Sequence, residues 1–139
     1  MSKNDYYSIA IDEIDIVEVL MHAEKYNYSA MHTQQVIEKL LKSVAILVCT
    51  DNLDKTLKSH NLRFLYKEIQ KFYMGIELDE HLLKYISDFY IDSRYPGEDY
   101  IYITENECIE SYMFLKEVVN KINNFRALHG FEIIERKWD

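Results

Sequence analysis

From Tyr6 to about Glu24 the apolar residues Tyr7, Ala10, Ile14, Val17 and Met21 recur every three or four positions, and Ile11, Val19 and Leu20 widen the stripe. A repeat near 3.6 residues puts such positions on one face of an amphipathic helix, so this segment predicts a first helix. Asn27 interrupts the pattern. It resumes from Tyr28 to Cys49 through Ile37, Leu40, Leu41, Val44, Leu47 and Val48, opposite Gln35, Glu38, Lys39 and Lys42. So short a break between two helical stripes predicts an antiparallel hairpin.

The polar stretch Thr50 to Ser59 reads as a loop. Leu62, Leu65, Tyr66, Ile69, Phe72 and Tyr73 then mark a shorter third helix, with Ser59 or Asn61 as candidate N-cap and Gly75 as its end. Asp79 can cap a fourth helix whose inner face is Leu82, Tyr85, Ile86, Phe89 and Tyr90, running until Pro96-Gly97 stops it. Thr104-Glu105-Asn106-Glu107 has the form of a capping box, and Cys108, Tyr112, Leu115, Val118, Val119, Ile122 and Phe125 give a fifth helix that Gly130 closes. Phe131 to Asp139 fits a short strand or a loose arm equally well. The whole predicts one all-α domain over residues 1–139: an up-and-down antiparallel four-helix bundle with an additional short helix, its core over about 5–125 and a tail over 126–139.

Composition sharpens this picture. A chain of 139 residues with a hydrophobic fraction of 48% can bury a core without disulfides, and three Gly with one Pro leave little material for the turns of an all-β fold. Cys49 and Cys108 are far apart, which predicts two half-buried thiols in a reducing compartment. No stretch approaches the ~18 apolar residues of a membrane span, and Met1 to Asp5 lacks the form of a signal peptide, so a cytoplasmic location is expected. The histidines show no paired spacing, so neither a metal site nor another cofactor is expected.

The net charge of −8 argues against a broad basic face for duplex DNA. Residues 39–71 nevertheless carry seven bases, Lys39, Lys42, Lys55, Lys58, Arg63, Lys67 and Lys71, against three acids. Gathered on one side they would form an anion-attracting patch; otherwise they are solvated lysines.

Three segments carry a resemblance. Met31-His32-Thr33-Gln34-Gln35-Val36-Ile37-Glu38-Lys39-Leu40-Leu41-Lys42 is similar to the second-helix signature of the HEPN family, the nucleotide-binding domain of higher eukaryotes and prokaryotes. Lys58-Ser59-His60-Asn61-Leu62 is similar to the family's opening of the third helix, and Ser93-Arg94-Tyr95-Pro96-Gly97-Glu98 to its Arg-Tyr-Pro loop. The resemblance covers about residues 5–125. It implies a helical bundle, usually a homodimer, often encoded beside a nucleotidyltransferase in a toxin–antitoxin or defence pair, with some members cleaving RNA without metal.

Nuclease members carry an Arg followed after four to six residues by His. None of Arg63, Arg94, Arg126 or Arg136 has a His at that spacing, so a non-catalytic role is expected. The candidate ligand-binding residues are Arg94, Tyr95, His60, His32 and Gln35. A guanidinium beside tyrosines can clamp a phosphate and stack a base, or Arg94 can pair with an acid and tie its loop to the bundle. His60 can meet an anion at the positive end of a helix dipole, or only cap that helix. His32, Gln34 and Gln35 can line a polar pocket or form a network joining helices. The twelve tyrosines can supply a dimer face.

Overall fold

The computed structural model describes residues 5–92 and 102–139. Six helices occur among them: α1 (Tyr6–His22), α2 (Tyr26–Val48), α3 (Leu53–Leu57), α4 (Leu62–Gln70), α5 (Glu80–Asp92) and α6 (Glu105–Leu128). The all-α bundle is as the periodicity predicts, with one helix more than expected. The short α3 lies inside the segment read as a loop, opening after Asn52 in the left-handed conformation (φ 55°) and burying Thr56. A five-residue helix is too short to show an apolar repeat.

Helix α2 is the hub, touching all five other helices. Its stripe Val36, Ile37, Leu40, Leu41, Val44 and Ala45 is fully buried, so a single apolar face serves several neighbours. Asn27 does not break the helix as its polarity suggested. It lies in the first turn of α2, and its side-chain oxygen accepts from the Ile103 amide at 2.6 Å, which pins the approach to α6.

Helices α1, α2, α5 and α6 alternate in direction. Tyr7 Oη donates to Asn123 and Tyr112 Oη to Glu18, so α6 runs antiparallel to α1. Helix α4 runs parallel to α2 instead: Gln34 meets His60 at one end of the pair and Cys49 approaches the Glu68 carbonyl at the other. Residues 49–61, with α3 among them, carry the chain back across the bundle.

The caps act where the sequence places them. Asn61 accepts from the Phe64 amide, Asp79 accepts from those of His81 and Leu82, and Thr104 with Glu107 closes a reciprocal capping box. Both cysteines are buried outright, deeper than expected, and burial pushes both thiols up. No helix among the described residues is long and apolar enough to cross a membrane.

The tail is neither a strand nor a loose arm. After α6 the chain turns at Gly130 (φ 79°), where the Phe131 amide reaches back to the Arg126 carbonyl and the Gly130 amide to that of Ala127. Residues 134–139 then run back along α6 in the groove it forms with α1. The Ile134 amide donates to Tyr7 Oη at 2.8 Å, and His22 Nε2 meets Asp139 at 2.6 Å. Arg136 Nη1 donates to Glu18 at 2.8 Å and its Nη2 to Asp15 at 2.5 Å. The Trp138 ring stands edge-on to Tyr112 with centroids 5.8 Å apart, between the cations of Arg136 and Lys116. This strap was hidden because its polar partners on α1 lie more than a hundred residues away in sequence.

Candidate ligand-binding site

The polar residues of α2 occupy one continuous arc. At about 100° per residue, positions 34, 38, 42, 35, 39 and 32 follow one another around the helix. Neighbouring helices divide this arc into two clusters.

On the side facing α1, Glu13 accepts from both His32 (Nδ1, 2.9 Å) and Lys39. On the side facing α4, Glu38 is held by Lys42 Nζ at 2.9 Å, by Gln34 Nε2 at 3.1 Å and by His60 Nδ1 at 3.1 Å. Gln35 is half-buried, and its position falls between the two clusters. The structure therefore joins His60 to Glu38 and His32 to Glu13 as two separate pairs on either side of α2, with His32 in a network between helices. Arg94 and Tyr95 lie outside the described residues. Helix α5 ends at Asp92, two residues before Arg94, and Ser87 one turn earlier donates to the His60 carbonyl.

The His60 cluster is built from the inside outward. The Lys42 side chain is 6% exposed and that of Glu38 11%, whereas that of His60 is 56% exposed. A buried ammonium and carboxylate four residues apart neutralise each other, and the carboxylate's remaining capacity fixes the imidazole with Nδ1 turned inward. Gln34 is wholly buried; its amide donates to Glu38 and to the His60 carbonyl, while its Oε1 has no partner. The sequence pointed to Gln34 and His60. It carried a signal for the Glu38–Lys42 pair in the i, i+4 spacing, but none for the crossing to His60.

Helix α4 does not offer an open N-terminus. Asn61 caps the Phe64 amide and Ser87 Oγ accepts from that of Leu62, so His60 precedes the helix without capping it.

The basic segment is mostly neutralised. Lys39 pairs with Glu13, Lys42 with Glu38, Arg63 and Lys67 with Glu80, and Lys71 with Glu68. Lys55 and Lys58 are exposed, five and two residues before His60 in the chain. What remains beside these pairs is one oriented, half-exposed imidazole, a point contact that suits a single anionic oxygen better than a long polyanion.

Among the described residues, no group of three or more His, Cys, Asp or Glu is arranged to hold a metal ion. No curated protein and no solved structure matches the chain. The comparison with protein families matches the HEPN domain over residues 4–125, from the start of α1 to the last turn of α6, and the chain belongs to the HEPN domain family.

Proposed function

We infer that this protein is a non-catalytic HEPN-type binding module, homodimeric, which holds a nucleotide or RNA phosphate and partners a nucleotidyltransferase in a toxin–antitoxin or defence pair. The observation that carries the binding role is the half-exposed His60 ring, fixed by the buried Glu38 carboxylate. Arg94 and Tyr95 are included in the proposal on the sequence pattern alone, a guanidinium beside tyrosines in an Arg-Tyr-Pro segment. The non-catalytic part rests on the missing Arg-to-His spacing.

The test is fluorescence anisotropy with a labelled RNA oligonucleotide and with labelled nucleotides at low salt. Arg94→Ala should weaken binding by ~1.5–3 kcal/mol, the scale of a hydrogen bond to a charged group, and His60→Ala should weaken it as well. Each phosphate contact should add ~0.7 to the salt slope for a single strand. Wild type that binds neither probe overturns the proposal.

A carboxylate-oriented imidazole is also proton-transfer machinery, which favours a second reading as a metal-independent ribonuclease with a divergent site. RNA cleavage in EDTA that disappears in His60→Ala would select it.

A further inference from the structure

The groove between α1 and α6 holds the chain's own residues 134–139 through specific side-chain contacts. Asp15 and Glu18, one turn apart on α1, bind the guanidinium of Arg136. Tyr112 and Lys116 on α6 hold the Trp138 ring two residues further along, and Tyr7 Oη receives the strap backbone at Ile134. These contacts read an extended segment with Arg followed two residues later by Trp.

We propose that two copies of the chain exchange this strap, each groove being filled by residues 134–139 of the other copy. The proposal rests on the homodimer inferred above. Contacts from Ile134 onward are identical whether the strap folds back or crosses over, so what exchange surrenders lies in the turn, including the Phe131–Arg126 and Gly130–Ala127 backbone bonds, Arg126 Nε to the Glu132 carbonyl and the Arg126 guanidinium over the Phe131 ring. Only residues 129–133 separate α6 from the docked part, and a short reversing hinge favours exchange. A glycine at positive φ can extend without steric cost. The residues that would line a junction of crossing hinges are apolar and exposed in the single chain: Leu128 at 75%, Phe131 at 39% and Ile133 at 39%. Two such hinges side by side would cover them.

The experiment pairs Glu18→Arg with Arg136→Glu in the full chain, each bearing a tag of different mass. Alone, each variant repels its own strap. Mixed after co-refolding, an exchanged heterodimer restores both grooves, because the Glu-bearing strap meets the Arg-bearing groove and the remaining pair is wild type. Native mass spectrometry should then show the heterodimer in strong excess over both homodimers, with the wild-type melting temperature recovered. Statistical mixing without recovery overturns exchange.

Since Glu18→Arg places a cation in a buried position, a second variant carries a Gly-Ser-Gly-Ser insertion after Gly130. The longer hinge lets each strap fold back, so light scattering should show the dimer falling to monomer. A dimer that survives the insertion overturns exchange and leaves the homodimer standing, whereas wild type that is monomeric throughout overturns both.

Discussion

Replacing Arg136 by Ala removes the ion pair that anchors the strap, and the cost follows from how deeply its partner is buried. The Glu18 side chain is 9% exposed, and Arg136 supplies two of its hydrogen bonds, at 2.8 and 3.1 Å, with Tyr112 Oη supplying another at 2.5 Å. Breaking a buried pair from one side costs ~3–5 kcal/mol, and the strap can lift to let water reach Glu18, so the lower end applies. Asp15 is 69% exposed and its share is below ~1 kcal/mol. A loss of ~3 kcal/mol in a domain of this size lowers the melting temperature by ~10 °C.

The dependence on pH gives the refutation its edge. Burial alone pushes the Glu18 carboxyl up, but the hydrogen bonds from Arg136 and Tyr112 outweigh it and hold the group below its ordinary range. A depressed carboxyl contributes stability that is present above its unfolded value and is lost as pH falls through the folded one. The gap between wild type and Arg136→Ala, followed by urea unfolding, should therefore be fully open at neutral pH and close below ~4 as Glu18 takes up a proton. A gap under ~1 kcal/mol, or one equally wide in acid, would refute the anchoring role.

Glu38→Leu should cost ~3–5 kcal/mol because it strands the Lys42 ammonium, and adding Lys42→Met should return most of that loss; a double variant as unstable as the single would acquit the pair. Thr104→Ala should lower stability by ~1 kcal/mol through the lost cap of α6, and an unchanged urea midpoint would show that the capping box adds nothing. Light scattering at micromolar concentration should return twice the 16.7 kDa chain mass, with a specific interface of roughly 1,200 Å² or more. Only the single-chain mass would exclude the dimer.

The helical segments were legible because each long helix repeats its apolar residues at one period, and Asn61, Asp79 and Thr104 announced their helices through capping chemistry that acts within three residues. Local information also explains the misses. Asn27 looked like a breaker, yet its amide serves a backbone group seventy-six residues away. The basic segment looked like a patch because Arg63 and Lys67 find Glu80 only after α4 and α5 pack together. Of the candidate site, His32 and Gln34 were legible as polar positions on a helical face, and His60 as a polar residue just before a helix. Their division between Glu13 and Glu38 was not, since it depends on α4 running parallel to α2.

The strap also bears on the order of events in folding. Its contacts with α1 join positions separated by more than a hundred residues, and the groove exists only once α1 and α6 have met. Closing so long a loop is worthwhile only after local helices and their hairpins have formed, so the strap's bonds to α1 should form late, after the folding transition state. Interactions formed after the barrier slow unfolding without speeding folding.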